Sequence, residues 1–94
     1  MSDKAHGSVT LKALFSKEVI NTSTGERLGY IDDGEIDIEC GYIMCFYITS
    51  PCKNIFSKNK EIIRIAYEDI TRIGNDIILI KSYTKQPKNA KKQL

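Results

Sequence analysis

The side chains that could do chemistry are few and badly placed for each other. The single histidine, His6, sits six residues from the start in a small, polar stretch, so no Ser or Cys of the body has a nearby imidazole to act as base. Cys40, Cys45 and Cys52 are odd in number, lack CxxC spacing and have no neighbouring His, which argues against both a disulfide framework and a zinc site. Cys45 lies in an apolar run and reads as a small buried hydrophobe, with Cys40 and Cys52 at turns. Asp32, Asp33, Glu35, Asp37 and Glu39 offer oxygens to a hard cation, yet alternating strand positions point one way without encircling an ion, and the EF-hand spacing is absent. They read instead as an outward acidic row. No GxxxxGK[ST] or GxGxxG run is present to cradle phosphate. No metal, cofactor or catalytic residue is assigned.

The elements around these residues are short. With 94 residues the chain supports one domain, and 41% apolar with 28% charged residues is a globular composition. Thr10 can cap a helical turn that sets Leu11, Leu14 and Phe15 on one side. Glu18-Val19-Ile20-Asn21 and the turn formers Thr22 to Gly25 make a hairpin signal leading into a long, bent strand from Leu28. Gly29 and Gly34 in that strand mark bulges or close backbone approach. Cys40-Gly41 turns the chain into Tyr42–Thr49, apolar on both faces and therefore central. A period of two would send Ile43, Cys45 and Tyr47 inward, and Tyr42, Met44 and Phe46 outward as a candidate interaction face. Residues 51–60 read as a polar, mobile loop. Glu61–Ala66, Ile70–Ile73 and Ile77–Lys81 complete the strands, with Gly74-Asn75-Asp76 as a tight reversal. The expected fold class is all-β, a small antiparallel barrel of five to six short strands with one or two helical turns, whose closure hides its edges.

Charge is unevenly spread. Residues 83–94 hold Lys85, Lys88, Lys91 and Lys92 and no acid, which leaves 10 basic and 12 acidic side chains on residues 1–82, a net −2. The expected organisation is a disordered N-terminus over 1–9, a domain over 10–82 and a basic disordered tail over 83–94. The tail is either a solubilising end or a weak contact for a polyanion, RNA or an anionic membrane surface. Residues 1–6 include Asp3 and Lys4, and no apolar stretch approaches the ~20 residues of a membrane span, so the expected compartment is cytoplasmic.

Three segments in combination resemble a family. Phe15-Ser16-Lys17-Glu18-Val19-Ile20-Asn21, Gly25-Glu26-Arg27-Leu28-Gly29-Tyr30 and Asp33-Gly34-Glu35-Ile36-Asp37, followed by Gly41, Glu61-Ile62, Ile65, Ile70, Ile73-Gly74 and Asp76–Leu79, resemble a PRC-barrel domain. More narrowly they are similar to the YlmC/YmxH sporulation proteins of spore-forming Firmicutes. The chain departs from that group at Ile65-Ala66, where an Ile-Pro pair is common. The resemblance implies a compact β-barrel used as a docking module, with no catalytic residue to transfer. The implied function is a non-enzymatic one, by contact with an unidentified protein partner or in a homodimer. The alternative is an RNA- or ribosome-associated adaptor, suggested by the barrel of a ribosome-maturation factor and by the lysine tail. A barrel that turns over a small molecule has the least support.

Overall fold

The computed structural model describes residues 7–49 and 61–87. The expected mobile loop at 51–60, the tail at 88–94 and the first six residues of the N-terminus lie outside them. Thr10 caps helix α1 (Leu11–Phe15) by accepting the Ala13 N–H at 3.0 Å, and the helix buries Leu14. Lys17 follows it and reaches across the fold, its Nζ donating to the Asn75 carbonyl at 2.6 Å and tying the helix to a distant turn.

Among the described residues eight strands form two four-stranded sheets. The first, in the order β2-β1-β7-β6, holds β1 (Glu18–Asn21), β2 (Arg27–Tyr30), β6 (Ile70–Ile73) and β7 (Ile77–Ile80). The second, in the order β3-β4-β5-β8, holds β3 (Asp33–Asp37), β4 (Tyr42–Ile48), β5 (Glu61–Ala66) and β8 (Thr84–Pro87). A 3-10 turn over Tyr67–Asp69 carries β5 into β6. The all-β, barrel-like class holds, with eight strands where five to six were expected, and two further details differ from expectation. The strand beginning at Arg27 is not continuous: Ile31, 1% exposed, plugs the core while the chain crosses from one sheet to the other. One pairing, β1 with β7, is parallel: the β6–β7 hairpin lays β7 along the side of β1 that β2 leaves free.

The core draws on both sheets. Leu14, Val19, Leu28, Ile31, Phe46, Ile48, Ile63, Ile65, Ile70, Ile78 and Ile80 make one cluster, and Cys45, Tyr47 and Ile62 a second on the other side of the β4–β5 pair. At roughly 1.5–3 kcal/mol for each large aliphatic side chain fully buried, these residues are the main source of stability in a domain this small. Gly29 sits at φ 110°, where β2 slips register against β1 between Val19 and Ile20, as a bulge requires.

Strand structure also extends past residue 82. Thr84–Pro87 pairs with β5, Lys85 opposite Ile63 and Gln86 opposite Ile62, so the tail expected to begin at residue 83 contributes a strand first. The alternation that marks a strand is invisible there because no residue of β8 is apolar enough to show it, and the pairing is made by the backbone.

Candidate interaction site

The β3–β4 hairpin carries every residue of the expected interaction face. Its tip is built from backbone-binding side chains: Asp37 Oδ1 accepts the N–H groups of Glu39 and Cys40 at 3.0 Å each, and Gly41, at φ 77°, donates its N–H to the Asp37 carbonyl at 2.6 Å. At the other end Asp32 accepts the Thr49 N–H and hydroxyl, stapling the hairpin's base. Asp33 Oδ1 accepts the Gly34 N–H at 2.8 Å. Several acids of the row therefore shape the chain as well as charging it.

A bulge decides which β4 side chains face solvent. Glu35 stands opposite Cys45 and Ile36 opposite Ile43, which leaves Met44 as the extra residue and reverses the in-out phase between the two halves of the strand. Gly34 permits the close approach, since a Cβ there would lie 3.0 Å from the Cys45 carbonyl oxygen and 3.1 Å from the Phe46 ring. The consequence corrects the expected face. Tyr42 and Met44 are exposed, at 55% and 38%, whereas Phe46 is 3% exposed and packs in the main core beside Ile48. Ile43 also packs against that core, while Cys45 and Tyr47, expected to join it there, are buried on the opposite side. In place of Phe46 the surface gains Ile36, 59% exposed, and Ile38, 90% exposed at the tip. Alternating with Glu35, Asp37 and Glu39 at period two, Ile36 and Ile38 have the sequence pattern of a strand covered on one face; the hairpin instead projects beyond the core.

The opposite side of β4 holds a polar group that sequence alone does not reveal, because it depends on register. Glu35 Oε1 accepts the Tyr47 hydroxyl at 2.8 Å and the Cys45 thiol at 3.4 Å, and Arg64 stands opposite Tyr47 on β5. The Tyr47 and Cys45 bonds hold the Glu35 carboxyl below its ordinary value against the opposing pull of desolvation, with the Arg64 charge adding to them. Burial, then the bond to Glu35, pushes the Tyr47 phenol up. Burial likewise pushes the Cys45 thiol up, so it stays protonated and a poor nucleophile, while Cys40 lies exposed in the hairpin turn. Among the described residues no three His, Cys, Asp or Glu side chains stand close enough to share a metal ion, and no helix is long and apolar enough to cross a membrane.

Comparison with known proteins agrees with this architecture. A family model described as the PRC-barrel domain matches residues 6–87. The chain is 34% identical over 67 residues to the "Probable sporulation protein YlmC" of Bacillus subtilis, covering 69% of this chain and 82% of that protein. It is 38% identical over 74 residues to an uncharacterized protein of Clostridium acetobutylicum, covering 78% of this chain and 84% of that one. No solved structure matches. The match spans both sheets, from the helix that precedes β1 to the end of β8, and on that footing the chain belongs to the PRC-barrel family.

Proposed function

We propose that the protein is a non-enzymatic docking module that works by protein–protein contact, in sporulation, through its β3–β4 hairpin. One observation carries the reading. Ile36, Ile38, Tyr42 and Met44, four large apolar side chains, stand exposed on one hairpin of a domain that buries its other Ile-rich strands well. Clustered exposed apolar surface on a small domain marks contact sites more often than chance. The likeness to a protein named for sporulation supplies the process.

The test is capture from sporulating cells with the full chain and with a Tyr42→Ser, Met44→Ser double variant. Both side chains are largely outside the core, so the variant is expected to melt as the parent does and to lose the captured protein. Retention of the same partner by a folded variant would sink the hairpin assignment.

A second reading, an RNA- or ribosome-associated adaptor, draws on Lys85, Lys88, Lys91 and Lys92. Phosphate contacts through those lysines predict binding that weakens steeply between 50 and 200 mM salt, at about 0.7–0.9 power of salt per contact. The acidic hairpin would repel the same backbone, which places it second. Absence of RNA binding at low salt removes it.

A further inference from the structure

Strands β3 and β8 are the two edges of one sheet, and they carry opposite charge. Asp33, Glu35 and Asp37 lie on β3, Glu39 follows at the tip, and no Lys, Arg or His occurs anywhere from residue 28 to residue 52. Lys85 lies on β8 in an exposed pair with Glu61 at 3.9 Å, and the seven residues beyond Pro87 include Lys88, Lys91 and Lys92 with no acid. Charged edges ordinarily guard against strand addition. Here the guard is selective, because like edges repel each other and unlike edges attract.

The lysines of the C-terminal segment start far from the outer end of the acidic edge in their own chain. Pro87 stands opposite Glu61, two residues before Ile63, which faces Ile48; Tyr42, six residues before Ile48, faces Asp37. Counting the bulge, roughly seven residue levels at ~3.3 Å and three strand spacings of ~4.8 Å put Asp37 about 27 Å from Pro87. Five residues of backbone from Pro87 to Lys92 extend to at most about 18 Å. Only a fully stretched segment would reach that end within one chain, so the hairpin's outer half, where Ile36, Ile38 and Tyr42 are also exposed, is more readily met by the segment of another molecule.

We infer that the β3–β4 hairpin of one copy receives the lysine-bearing C-terminal segment of a second copy, β8 and the residues after it, in a head-to-tail contact. This rests on the docking role proposed for the hairpin and names its occupant. The contact is heterologous, so copies either exchange segments in a closed ring or add in a row. It is small, and weak association is expected, steeply dependent on salt.

Sedimentation velocity of the full chain, from micromolar to millimolar concentration, tests it. Association is expected at about 50 mM salt and on the order of tenfold weaker at about 300 mM, where the Debye length has shortened. Two charge-reversed chains sharpen the test: Asp37→Lys with Glu39→Lys, and Lys88→Glu with Lys91→Glu and Lys92→Glu. Each alone is expected to be monomeric, and an equimolar mixture to associate again. A parent chain that stays monomeric at low salt overturns the inference, as does association that survives either reversal. Association lost in Tyr42→Ser but indifferent to salt overturns it too, in favour of an apolar face-to-face dimer. Capture of a different partner by a monomeric parent would end this inference and leave the docking role standing.

Discussion

Glu35 shows how much a single register contact decides. Its folded pKa lies below the ordinary carboxyl value of 4.5, so the Glu35 interaction with Tyr47 and Cys45 stabilises the fold above that pH and is lost as pH falls through the lower, folded value. Tyr47→Phe removes the leading cause and is expected to move the Glu35 carboxyl midpoint up toward 4.5 in an NMR titration; an unmoved midpoint would show that the bond does not form. Phe46 and Tyr42 make a second pair of expectations. Phe46→Ala opens a hole in the main core and should cost about 3–5 kcal/mol, while Tyr42→Ser, at an exposed site, should change stability by about 0.5 kcal/mol or less, both read from denaturant midpoints. The outward placement expected for Phe46 failed on one residue. Strict alternation counts from Tyr42, and nothing in the sequence says that Met44 is passed over in the pairing; only the close approach at Gly34, signalled by a glycine but not located by it, hints where the phase turns.

At the scale of elements, most strands were legible because their Ile and Val residues lie between clear turn formers, and β8 was not because it has no apolar residue to declare it. The parallel pairing of β1 with β7 was equally hidden, since partners 59 residues apart leave no local trace. The departure at Ile65-Ala66 now has a structural meaning. Tyr47 turns its carbonyl toward β3, where it accepts the Asp32 N–H at 3.0 Å, and backbone groups alternate along a strand. Cys45 therefore also faces β3, and Ala66, opposite Cys45, points its N–H away from β4. With φ at −65°, Ala66 already has the backbone of a proline. Ala66→Pro is expected to stabilise the domain by about 0.4–1 kcal/mol through the unfolded chain, measured by urea unfolding. A loss of stability would mean that the Ala66 N–H is hydrogen-bonded after all.

For the whole molecule, a barrel with two buried clusters accounts for the stability, and the hairpin that overshoots it accounts for the proposed role. Composition and the family-like segments pointed to the scaffold directly, since Gly25, Gly29 and Gly34 answer to backbone geometry that the barrel needs. The contact surface was legible only in part: Tyr42 and Met44 were anticipated, whereas Ile36 and Ile38 emerge from how far β3 and β4 run beyond the core. Photocrosslinking from single positions of the full chain in sporulating cells tests the docking surface most directly. A photoreactive side chain at position 42 or 38 should yield a discrete protein adduct, and one at position 72, on the exposed side of β6 in the other sheet, should not. Equal labelling from all three positions, or adducts from position 72 alone, would contradict the account.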